Sequence, residues 1–121
     1  VLCAEDKAAE RAADLKFITL KNPAQFKNRF SMIRTQIARL PGIELPGNAD
    51  SAQKASEWLR KVLRTELKIN CCLEYGGWWL FSTTGRDGAA AEGEVDNGTP
   101  HFIEGYAVKM NGNRAWHFSF W

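Results

Sequence analysis

The stretch HFIEGYAVKMNGNRAWHFSFW, residues 101–121, decides the fold of this chain. Asn111-Gly112 stands between two apolar, aromatic runs, and both residues tolerate the positive φ that a type I′ hairpin turn requires. A turn on that pair, or a longer loop from Met110 to Asn113, gives a single register. Val108 lies opposite Ala115, Ala107 opposite Trp116, Tyr106 opposite His117, Gly105 opposite Phe118, Glu104 opposite Ser119 and Ile103 opposite Phe120. Side chains directly opposite share a face. One face therefore carries Ile103, Gly105 and Ala107 with Trp116, Phe118 and Phe120, and is expected to be core, its small residues making room for rings. The other carries Phe102, Glu104, Tyr106 and Val108 against Ala115, His117, Ser119 and Trp121. That second face gathers a carboxylate, a phenol, an imidazole and a hydroxyl between aromatic ends.

Upstream, the period of the apolar residues is helical. Ala8, Ala9, Ala12, Ala13 and Leu15 predict a first helix over about 5–16. The next is predicted over 23–40, with Asn22 as cap, Pro23 at the first helical position and Phe26, Phe30, Ile33, Ile37 and Leu40 along one stripe. Pro41-Gly42 ends it, and 41–49 is expected to be a loop that tucks Ile43 and Leu45 inward. A further helix is predicted over 51–68, opened by an Asp50–Gln53 capping box and striped with Ala55, Trp58, Leu59, Val62, Leu63 and Leu67. From Ile69 the period falls to two, so 69–83 reads as a strand that Gly76-Gly77 interrupts with a bulge or sharp bend. The glycine-rich segment 84–100 reads as a loop or short strand, and strands over 101–110 and 114–121 complete the chain.

Helices first and strands afterwards give an α+β class, in one domain over 1–121, with two or three helices packed on one face of a curved antiparallel sheet of three to four strands. In order and size of its elements the chain resembles the cystatin-like and nuclear-transport-factor-like cone folds. The resemblance is one of architecture, without a shared motif, and it carries no function.

Composition narrows the classes. The apolar fraction of 45% suits a folded globule, and no run approaches the eighteen or so apolar residues of a membrane-spanning helix. Net charge is only +2, yet residues 21–68 hold ten Lys/Arg against four Asp/Glu, and residues 69–121 hold three against six. A basic middle suits an anionic partner, or simply the solvated faces of two helices. The apolar start ending at Ala4, ahead of Glu5-Asp6, resembles the tail of a secretory signal peptide, so export to the periplasm or the extracellular space is expected. In that setting Cys3 is placed to bridge Cys71 or Cys72. Cys71 and Cys72 themselves point to opposite faces of a strand and cannot pair with each other.

No cofactor or metal is called for. The cysteine spacing fits no zinc pattern, and the acids of Glu92, Glu94 and Asp96 miss a calcium loop because the glycine comes one place late and Ile103 stands where the closing carboxylate belongs. A thiol enzyme would need Cys71 or Cys72 beside His101 or His117. The candidate catalytic residues are Glu104, His117 and Tyr106, a base, a proton carrier and a donor on one face. The candidate ligand-binding residues are Trp78, Trp79, Tyr106, His117 and Trp121. The leading expectation is a non-catalytic binding module, an inhibitor, immunity or accessory protein, that takes a protein or small ligand on an aromatic sheet face. The alternatives are a pocket enzyme using Glu104 and His117, and a homodimer formed through the sheet. Nucleic acid is a poor fit, because the aromatics lie on strands and the cations on helices.

Overall fold

A computed structural model of the chain describes residues 15–83, 93–95 and 102–120, the middle segment as backbone only. Its elements, in chain order, are β1 (Ile18–Leu20), α1 (Pro23–Ile37), β2 (Ile43–Glu44), α2 (Ala52–Leu63), β3 (Cys71–Tyr75), β4 (Trp78–Ser82), β5 (Gly93–Val95), β6 (Glu104–Lys109) and β7 (Arg114–Ser119). The helix expected over 5–16, Cys3, His101 and Trp121 lie outside the described residues. The α+β class holds, with a larger sheet than expected. Five strands run antiparallel in the order β2-β7-β6-β4-β3, and β1 pairs with β5 in parallel. The bridge of Phe17 to Cys72 lays the start of β1 beside β3.

The terminal hairpin has the expected register, from Glu104–Ser119 to Val108–Ala115. Its turn is the longer loop, in which Asn111 takes φ +58° while Gly112 donates its N–H to the Lys109 carbonyl at 3.0 Å. The type I′ turn is instead at Gly76-Gly77, with φ +59° and +83° between the paired residues Tyr75 and Trp78. The stretch read as one interrupted strand is therefore a hairpin, because two consecutive glycines can both take positive φ and reverse the chain.

The helices differ from expectation at their ends. Asn22 caps α1 with its carbonyl, which accepts from Gln25 N–H at 3.1 Å, and its side chain makes no cap bond. The cap of α2 is Ser51, whose Oγ accepts from Lys54 N–H at 3.2 Å, while Asp50 pairs with Lys54 Nζ at 3.1 Å. That helix stops at Leu63 rather than 68. Arg64 enters the left-handed region at φ 55°, and the N–H groups of Arg64 and Thr65 return to the carbonyls of Lys61 and Arg60, which closes a Schellman turn.

The two helices lie on opposite faces of the sheet, which corrects the expectation that they share one. Phe26, Phe30, Ile33 and Ile37 of α1 pack on Cys71, Leu73, Trp78, Leu80, Ala107 and Phe118. Ala52, Ala55 and Leu59 of α2 pack on Cys72, Phe81, Val108 and Ala115. The reason is in the strands: Cys71-Cys72-Leu73 and Trp78-Trp79-Leu80-Phe81 are unbroken apolar runs, the pattern of a sheet covered on both sides. Gln36 of α1 also reaches the outer edge of β7, where its Nε2 donates to the Ser119 carbonyl at 2.5 Å and its Oε1 accepts from the Ser119 N–H at 3.0 Å.

Candidate functional site

The register of β6 and β7 sets Glu104 diagonally across from His117, and Tyr106 directly opposite it. Glu104 Oε1 lies 3.2 Å from His117 Nε2, and the two side chains are 36% and 46% exposed. The Tyr106 ring meets the imidazole edge-on, with centroids 5.2 Å apart and planes at 62°. Tyr106 is half-buried because its ring borders the core under α2, whereas Glu104 stands two residues further along β6 and His117 across from the ring on β7, both outside that core. Burial first, and then the Glu104 carboxylate, push the Tyr106 phenol above its ordinary value of 10.0, so it keeps its proton and can donate. The cluster thus offers a carboxylate acceptor, an imidazole and a protonated phenol, held by strand pairing and open to water.

Three expected members are placed away from Glu104 and His117. Phe102 was expected to flank Glu104, but it is fully buried on the α1 side, edge-on to Phe26 at 6.2 Å. The chain bends at Ile103, so the alternation of faces does not extend across the start of β6. Trp78 is 8% exposed, with its ring between Phe30 and Trp116 in the α1 layer, and its burial reads as core packing. Trp79 is on the opposite face, as its neighbouring position requires, and its indole N–H donates to the Ala49 carbonyl at 3.2 Å. It pairs with Val108, which sets it diagonally beside Tyr106 on the α2 face and about 13 Å from Glu104 at the strand rise, so it borders the Tyr106 side of the cluster without reaching the carboxylate.

Cys71 and Cys72 are free and buried. Cys72, Phe81, Tyr106 and His117 form one row across four strands, which puts Cys72 about 14 Å from His117 at the usual strand spacing. Burial pushes the Cys71 thiol up to about 12, opposed by a hydrogen bond with Ser82. Cys72 is pushed up as well, by burial and then by the charges of Cys71 and Glu74. Neither is a poised nucleophile.

These shifts have a measurable consequence. Thiols ordinarily ionise near 9.0, and a raised value in the folded chain means that the neutral thiols contribute stability in full below that pH and lose it as pH climbs towards about 12. The denaturant midpoint is expected to fall as pH is raised above about 9, and the fall should shrink in C71A/C72A. In the native protein both thiols should react with Ellman's reagent only as fast as the chain opens. A flat alkaline profile with immediate labelling of Cys71 and Cys72 in a C3S background would contradict the burial.

Among the described residues no group of three His, Cys, Asp or Glu side chains is placed to hold a metal ion. What the sequence reading did not single out is the solvent face of α1. Clefts of about 380 and 490 Å³ adjoin there over Ser31, Thr35 and Arg39. The available signal was the absence of any Asp or Glu from Leu15 to Ile43, a span that holds six Lys/Arg. Comparison with protein-family models, with curated proteins and with solved structures gives no match for this chain.

Proposed function

We propose that this chain is a small non-catalytic binding module, of the inhibitor, immunity or accessory kind, which takes a partner protein or small ligand at the open end of its sheet. The observation that carries the reading is the Glu104–His117–Tyr106 cluster, ordered by strand register yet more than a third exposed at Glu104 and His117. Ordered polar side chains beside a half-buried ring recognise a ligand without the entropy cost of arranging themselves first. The exposure weighs against catalysis, because acid–base work gains most where water is excluded. The carboxylate and the phenolic oxygen are complementary to a guanidinium or ammonium group on the ligand.

The test is an NMR titration of ¹⁵N-labelled protein with a short arginine-containing peptide amide. Shifts are expected at Glu104, Tyr106 and His117, and should vanish in E104Q. An exposed pair of this kind is worth about 0–1 kcal/mol, so E104Q should stay folded and its loss of binding be read directly. No shift at those three residues at about 10 mM peptide, where a millimolar site would be nearly filled, would refute the proposal.

The 3.2 Å contact of Glu104 with His117 favours a second reading, acid–base chemistry by that pair with help from Tyr106. Under it, E104Q would abolish turnover of a bound substrate and leave its affinity in place. The binding reading expects the reverse, a loss of affinity.

A further inference from the structure

We propose that the exposed face of α1 is a docking groove for an acidic, apolar-anchored peptide segment of a partner protein. This surface is separate from the sheet-end cluster and does not depend on it. Its floor is small, made by Ser31, Thr35 and Ala38, and the two clefts adjoin along it. Both hydroxyls of the floor donate to the helix itself, Ser31 to the Lys27 carbonyl at 3.1 Å and Thr35 to the Ser31 carbonyl at 2.9 Å, so neither has a proton left for a carboxylate. The groove therefore recognises through its walls. Arg34 and Arg39 supply the charge, while Met32, 54% exposed, and Phe120 supply an apolar side.

Charge complementarity decides the sign of the occupant. From Leu15 to Ile43 there are six cations and no acid, and among the described residues no carboxylate lies within ion-pair distance of Arg34 or Arg39. Their charges are exposed on a shallow, open surface and are available to an incoming anion, which they would steer and orient. From Ser31 to Ile37 the helix rises about 9 Å, and the turn through Arg39 extends the groove to a length that roughly four residues of extended chain would fill. A short segment with carboxylates for the two arginines and an apolar side chain for Met32 and Phe120 fills that length.

Two other anionic partners fit less well. A long nucleic acid has no use for the apolar wall. Phe120, the one ring in the groove, has one face covered by the Arg29 guanidinium at 4.0 Å, and a single ring gives no row on which successive bases could stack. A lipid surface would call for an apolar helix face, and that of α1 is spent in the core on Phe26, Phe30, Ile33 and Ile37.

The probe is a fluorescein-labelled peptide of alternating Glu and Leu, followed by anisotropy at low salt. Its Gln-for-Glu counterpart, duplex DNA of one helical turn and vesicles of equal parts phosphatidylserine and phosphatidylcholine are run beside it. The acidic peptide is expected to bind, to weaken at least about tenfold in R34E/R39E and about threefold in M32S, and to be unaffected by K61E or E104Q. All the substituted side chains lie at the surface, and circular dichroism checks that each variant is folded. The proposal is overturned if the acidic peptide does not bind, if R34E/R39E leaves its affinity unchanged, or if the Gln peptide binds equally well. It is also overturned if DNA or vesicles bind more tightly than the peptide through the same arginines.

Discussion

Replacing Gly105 with alanine is expected to destabilise the protein by about 3 kcal/mol and to lower its thermal midpoint by roughly 10 °C. Gly105 lies in β6 opposite Phe118 on one side and Ser82 on the other. A Cβ there would land on the carbonyl oxygen of Phe81, with the carbonyl carbon at 2.9 Å and Ser82 Cα at 3.1 Å. All three are backbone atoms, so no side chain can turn away, and β4 and β6 must move apart in the middle of the sheet. Overpacking commonly costs about 1–3 kcal/mol, and a clash with backbone belongs at the top of that range. Calorimetry of wild type and G105A measures the effect. A loss under about 1 kcal/mol would mean that the strands separate easily and that the close approach is not a requirement of the fold.

Truncating Phe26 to alanine is expected to cost about 4 kcal/mol, a large share of the 5–15 kcal/mol that holds a domain of this size together. Phe26 is fully buried, and its ring meets Phe30, Tyr75 and Phe102 at centroid distances of 6.2, 5.0 and 6.2 Å. Removing it empties the junction where α1 sits on the β3–β4 hairpin and on the segment leading into β6. Leu59, equally buried, holds α2 on the other face and shares no core neighbour with Phe26. Leu59→Ala should cost about 2–5 kcal/mol, and the two losses should add to within about 0.5 kcal/mol. Denaturant unfolding of F26A, L59A and the double variant, if it folds, checks the sum. A coupling above about 1 kcal/mol would show that the layers communicate through the sheet.

Gly105 also shows how far the sequence could be read. Its smallness was legible, but the reason was not. Opposite Phe118 it looked like room for a ring, whereas the neighbour that excludes a side chain is the backbone of β4, a strand whose adjacency no local pattern announces. The β6–β7 register was legible because a turn and two alternating runs lie within twenty residues of one another, and it delivered the Glu104–His117 contact. The turn at Gly76-Gly77 was missed although a glycine pair is itself a hairpin signal. Long apolar runs on both sides suggested one continuous strand, and the same runs, read as two-faced burial, would have placed a helix on each side. Phe102 went to the wrong face because alternation was carried through the bend at Ile103. Caps failed by one residue, as at Asp50 and Ser51, where two acceptors compete and the backbone conformation chooses. The α1 groove was out of reach, since Phe120 comes to that wall only through the fold.

The reach of Gln36 to Ser119 has a bearing on how the molecule behaves in company. A carboxamide carries the same donor and acceptor as a peptide unit, so Gln36 occupies the place that the next strand would take on β7. Further along that edge β2 does the same, and by continuation of the register Pro41 stands opposite His117 with no N–H to give. Between them, a side chain, a two-residue strand and a proline leave little of the β7 border on which another molecule could lay a strand. That border of the sheet is finished from within, and copies of this chain are discouraged from joining along it into a growing fibre.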